Sequence, residues 1–119
     1  GVDVSLIRSD GINQFINVLD EYFEYNESLQ QQLIELRNLI SNINDLKLYS
    51  SRLNELEREM TLFHSKIVID ILSKYQDEVD FVGFHGQTIF HNPEKKNFKT
   101  IRRWEANVSI SQKKNHLQF

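Results

Sequence analysis

Four consecutive residues, His85-Gly86-Gln87-Thr88, offer an imidazole, a glycine, a carboxamide and a hydroxyl. Each of the three side chains can donate or accept a hydrogen bond, and glycine lets a ligand approach the backbone closely. Such a set suits a polyhydroxylated ligand. It contains no activated nucleophile, because no acidic residue lies close in sequence to orient His85. A strand-end turn whose polar groups only cap backbone accounts for the same residues. His85, His91 and His64 do not make a metal site: the spacing matches no helical histidine pair, and no Asp or Glu stands at ligand spacing beside them. His64, next to Phe63, reads as a partly buried helix histidine.

The elements around the quartet give it a place. Val79, Phe81, Val82 and Phe84 form a short apolar run that reads as a buried strand over about residues 79–84, with the quartet as the loop at its end. In open α/β sheets ligands collect at the carboxyl ends of strands. Nearer the start, Val2–Arg8 alternates apolar and polar residues like a half-buried strand. Ser9-Asp10-Gly11 is a turn signal, and a second strand is expected near 13–20, with Asp20–Tyr25 open between strand and helix. From Asn26, a capping residue, the period becomes helical: Leu29, Leu33, Leu36 and Ile40 share one face of a helix near 27–41. A longer helix near 51–75, capped by Asp45 or Ser50/Ser51, carries the stripe Leu53, Leu56, Met60, Phe63, Ile67 and Ile71, widened by Leu62, Val68 and Leu72. The expected order is strand-strand-helix-helix-strand, an α/β arrangement.

Bulk properties bound the rest. The chain has 119 residues, 39% of them hydrophobic, which makes one domain or part of one. No apolar run is long enough to span a bilayer, and Gly1-Val2-Asp3 does not open a secretory signal. With no cysteine, disulfides, zinc ribbons and thiol chemistry are excluded; a cytoplasmic setting is compatible. The net charge of −3 conceals an asymmetry. Residues 94–119 carry seven Lys/Arg against two acids, a local +5, and residues 1–93 carry −8. A basic tail suggests nucleic acid or a solvated end.

Val79–Pro93, VDFVGFHGQTIFHNP, resembles the signature of anhydro-N-acetylmuramic acid kinases, a V/I-D-x-I/V-G strand leading into x-H-G-Q-T-I/V-x-H-x-P. The opening is similar too: Gly1–Ile7 matches the end of the family's phosphate loop, G-T-S-x-D-G-x-D, and its V-x-L-I strand. Leu56–His64 resembles the family's Leu/Glu-rich helix with a central histidine. The likeness covers about residues 1–93. It implies part of the first domain of an actin-like, ribonuclease H-like sugar-kinase fold. It also implies an activity: ATP- and Mg2+-dependent phosphorylation of 1,6-anhydro-N-acetylmuramic acid with opening of the anhydro ring, giving N-acetylmuramic acid 6-phosphate in cell-wall recycling. By resemblance, Gly1, Val2 and Asp3 border the ATP phosphates, and His85, Gly86, Gln87 and Thr88 lie at the sugar; nucleic acid and membrane are not among the partners.

Two departures accompany the match. The first residues of the phosphate loop are absent, as are the Q-L/I-G-D-G, D-F-R and G-G-Q-G-A-P-L segments after H-x-P and the second domain. The D-F-R aspartate is the family's expected base, so the 119 residues are expected to be inactive alone. The tail offers an explanation. If Thr100–Glu105 is encoded ACA ATT AGG AGA TGG GAA, with G following, skipping one nucleotide gives Gln-Leu-Gly-Asp-Gly-Lys, the missing segment. Residues 94–119 then read as a basic tail foreign to the family, out of frame from about Asn97, with Trp104 expected outside any core. A divergent natural terminus is the alternative. In place of a kinase fragment, a non-catalytic helical interaction module would use the long helix against a partner.

Overall fold

The computed structural model describes residues 1–75, 79–92 and 97–101. Expectations for Trp104 and the rest of 102–119 lie outside the described residues. The elements are β1 (Val2–Ser9), β2 (Phe15–Phe23), α1 (Glu27–Leu39), α2 (Ile43–Leu48), α3 (Ser50–Lys74), β3 (Gln87–Asn92) and β4 (Asn97–Ile101).

β1 and β2 form an antiparallel hairpin, from Val2 opposite Phe23 to Ser9 opposite Phe15. Leu6 faces Leu19 while Ile7 faces Asn17, so Val18 is the extra residue of a bulge. Asp10 builds the turn. Its Oδ1 accepts from the amides of Ile12, Asn13 and Gln14 at 3.0, 3.2 and 3.0 Å. Gly11 supplies the left-handed backbone there, with φ of 74°. The β1 alternation is as read: Val2, Val4 and Leu6 are half-buried, and their neighbours are exposed. The ambiguous run after Asp20 is strand as far as Phe23.

Asn26 caps α1, its side chain accepting from the Leu29 amide at 2.8 Å. Leu29, Leu33, Leu36 and Ile40 are buried, together with Leu53, Leu56 and Met60 of α3 and Ile89 and Phe90 of β3. That cluster is the core, and helix-on-helix contact dominates it. Ile67 and Ile71, further along the α3 stripe, are buried, and they line a cleft beside β1. Leu62 departs from the expected stripe: it is 50% exposed, on the outer side of α3.

Three parts of the sequence reading are corrected. Val79–Phe84 is not a strand; among the described residues β1 pairs only with β2 and β3 only with β4. Val82 and Phe84 are half-buried and Phe81 is 91% exposed, but the segment joins neither sheet of the described residues. The strand begins instead at Gln87, inside the expected loop, and β4 follows where no strand was expected. The third correction is α2, a short helix with a capping box. Asn42 accepts from the Asp45 amide while the Asp45 carboxylate accepts from the Asn42 amide. Asp45 therefore serves α2, and α3 starts with Tyr49 as an N-cap that makes no side-chain bond.

Candidate functional site

A cleft of about 440 Å³ lies between β1, one face of α3 and the extended segment that enters β3. Gly1, Val2 and Asp3 line one lip and His85, Gly86 and Gln87 the other. Two groups picked out at opposite ends of the sequence thus share one cavity. Thr88 does not join them. It sits on β3 opposite Thr100, exposed, and does not line the cleft. His91, also on β3, is exposed as well.

Each lip has a local cause. β1 holds Gly1–Asp3 through its register with β2, where Asp3 faces Tyr22. At the other lip, Ile89 is the extra residue in the pairing of β3 with β4, because Thr88 faces Thr100 and Phe90 faces Lys99. This irregularity lets two successive residues, Ile89 and Phe90, both be buried, which a regular strand would forbid. Their burial anchors the start of β3 on the core and so fixes the end of the His85–Gln87 loop. Gly86 itself is buried.

The floor comes from α3 and had no signal strong enough to stand out as a site. Thr61, His64, Ser65, Val68 and Leu72 line the cleft, a face adjoining the core stripe. Spacing of 3 and 4 along α3 places them together. The hydroxyls of Thr61 and Ser65 donate to the carbonyls of Glu57 and Thr61, each at 2.7 Å. His64 Nδ1 lies 2.7 Å from the Met60 carbonyl. A carbonyl can only accept, so Nδ1 carries the proton and a neutral ring keeps Nε2 as an acceptor. Burial pushes the His64 pKa below its ordinary value; the Met60 bond opposes this, and the Gly1 amine adds to the lowering. Tyr25 closes one side, its phenol pKa raised chiefly by burial.

Among the described residues Asp3 is the single carboxylate that lines the cleft. Among the described residues no three His, Cys, Asp or Glu side chains stand together as a metal-holding group. No helix among them is long and apolar enough to cross a membrane. The cleft can therefore offer backbone approach at Gly86, donors and acceptors on Gln87 and His85, acceptors along α3, and an apolar floor. That combination fits an uncharged or weakly charged polar ring better than a metal cluster.

Residues 1–114 match the family model for anhydro-N-acetylmuramic acid kinase. Curated relatives with that name agree. The Pelagibacter ubique protein is 50% identical over 101 residues, 85% of this chain and 27% of the relative. The Rhizobium johnstonii protein is 33% identical over 98 residues, and the Agrobacterium fabrum protein 29% over 98, each covering 80% of this chain and 26% of the relative. The chain thus spans about a quarter of the length of the curated relatives it matches. No solved structure matches.

Proposed function

Because the chain belongs to the anhydro-N-acetylmuramic acid kinase family, we propose that it is the N-terminal portion of an ATP-dependent sugar kinase. The reaction in this reading is phosphoryl transfer to 1,6-anhydro-N-acetylmuramic acid with ring opening, in cytoplasmic cell-wall recycling. The observation that carries the proposal is the shared cleft: Gly1–Asp3 and His85–Gln87 face one cavity, as residues meeting phosphate and sugar must. The fold assigned with it is part of an actin-like first domain.

His85 and Gln87 hydrogen-bond the sugar in this reading, and Gly86 gives it room beside the backbone. Thr88, one residue beyond the cleft, bears on the sugar only through the β3 backbone. Gly1–Asp3 border the ATP phosphates. Magnesium is commonly held by one or two carboxylates plus substrate phosphates, and Asp3 is the carboxylate available for it. When bound, the ion neutralises charge on the transferring phosphoryl group. The 119 residues contain no D-F-R segment and span about a quarter of the relatives' length, so in this reading the base and the facing domain lie outside them. General-base catalysis contributes roughly 10²–10⁴-fold and positioning considerably more, which puts turnover by this polypeptide below detection. On this reading the basic tail, residues 94–119, departs from the family's motifs within a stretch that the family match still spans as far as residue 114.

A helical interaction module would need an apolar face to offer. The α1 and α3 stripes instead bury each other, which favours the kinase reading.

The test is a reconstruction. The 119-residue chain should not phosphorylate 1,6-anhydro-N-acetylmuramic acid with Mg-ATP; the chain extended with the family's phosphate loop and remaining segments should. In the extended protein, His85→Ala should raise the KM for sugar more than for ATP. Turnover by the 119-residue chain, or an extended protein inert on this sugar, would overturn the reading.

A further inference from the structure

His64 joins two parts of the cleft that are distant in sequence. Its ring meets that of Phe84, the residue before His85, with centroids 4.7 Å apart and planes at 86°. On the other side it meets Phe63 at 6.3 Å and 83°, and Phe63 meets Tyr25 at 5.4 Å and 63°. Aromatic edges are positive and faces negative, so such edge-to-face pairs attract and fix orientation. The hydrogen bond from Nδ1 to Met60 sets the rotamer of the imidazole. Phe84 belongs to a segment outside both sheets of the described residues.

We propose that His64 is the positioning residue for the His85–Gln87 loop, holding it against α3 by clamping the Phe84 ring. Its place in ligand binding rests on the reading of the cleft above; the clamp itself does not.

The clamp suits a neutral ring. Among the described residues, the titratable groups that share the cleft with His64 are the Gly1 amine and Asp3 on the β1 side, Tyr25 beyond β2, and His85 on the loop. The α3 residues of the cleft wall carry no other ionisable side chain. A protonated imidazole must recover water, and at this half-buried position it does so by leaving Phe84. Acid should therefore release the loop while α3 stays intact.

The test is a nuclear magnetic resonance titration of the full chain between about pH 8 and pH 5. Phe84 ring signals and the Gly86 and Gln87 amides should follow the His64 titration, and hydrogen-exchange protection at Gly86 should fall about tenfold once intrinsic rates are corrected. His64→Phe keeps an aromatic ring without a titrating group, so protection at Gly86 should survive acid. His64→Ala should weaken protection at every pH; if it fails to fold, the wild-type and His64→Phe series decide. Loop signals that do not follow the His64 titration in the wild type, or the same acid step persisting in His64→Phe, would overturn the clamp. No sugar is needed for this readout, so failure of the kinase assay would not count against the clamp.

Discussion

His64 stands edge-to-face with Phe84, 4.7 Å between ring centroids, while its own Nδ1–H is committed to the Met60 carbonyl 2.7 Å away. One side chain thus serves the inside of a helix turn and the approach to a candidate binding loop.

The first expected consequence is a pH dependence of stability. The His64 pKa is lowered in the folded chain, mainly by burial, and rises to the ordinary 6.5 on unfolding. The unfolded state then binds the proton more readily. The His64 contribution is complete above pH 6.5 and is lost as pH falls from there through the folded-state value. Urea unfolding midpoints should decline over that interval, and less so in His64→Phe. Midpoints that decline equally in both proteins would assign the loss to other groups.

Leu56 and Leu62 offer a contrast within one helix. Leu56 is 0% exposed at the meeting of α1, α3 and β3, whereas Leu62 is 50% exposed. Leu56→Ala should cost about 2–5 kcal/mol by cavity formation. Leu62→Ala should stay within about 0.5 kcal/mol. Chemical denaturation of the two variants checks the pair, and equal losses would contradict the placement of the core.

Asn26 is the single side-chain cap of α1, bonded to the Leu29 amide. Asn26→Ala should lower stability by about 1 kcal/mol, and Asn26→Asp should retain most of it. A thermal melt followed by circular dichroism is sufficient; an unchanged Asn26→Ala protein would mean that core packing alone fixes the start of α1.

Two glycines should differ for a backbone reason. A Cβ at Gly11 or Gly83 meets nothing within 4 Å, yet Gly11 alone of the two has a positive φ, 74°. Gly11→Ala should therefore cost about 1–2 kcal/mol, localised to the hairpin, through left-handed strain. Gly83→Ala should be close to neutral. Amide exchange in β1 and β2 reports the first change, and equal effects would remove backbone strain as the cause.

The helices were legible in the sequence because burial follows a period that the residues display. Leu29, Leu33, Leu36 and Ile40, and Leu53, Leu56, Met60, Ile67 and Ile71, are all buried as their spacing requires. The hairpin was legible from β1 alternation and the Asp10-Gly11 turn. Val79–Phe84 misled because a short apolar run reports that a segment has side chains to bury, not whether a neighbouring strand supplies hydrogen bonds. β4 escaped because its pairing with β3 runs through backbone groups that every sequence possesses. Within the candidate site, the two lips were named from sequence. His64 was read as a helix histidine, which it is; its contact with Phe84 depends on tertiary geometry that spacing does not encode.

The core closes among α1, α3 and β3 with no residue of β1 or β2 in it. A sub-global fluctuation that opens the hairpin would therefore leave that cluster's packing in place. The two lips of the cleft then differ in what holds them: the lip bearing Gly1–Asp3 opens with the hairpin, and the lip bearing Gly86 is tied to α3 through Phe84 and to the core through β3. A ligand that bridges both would slow exchange in β1 selectively, so binding would register on the strand least needed for folding.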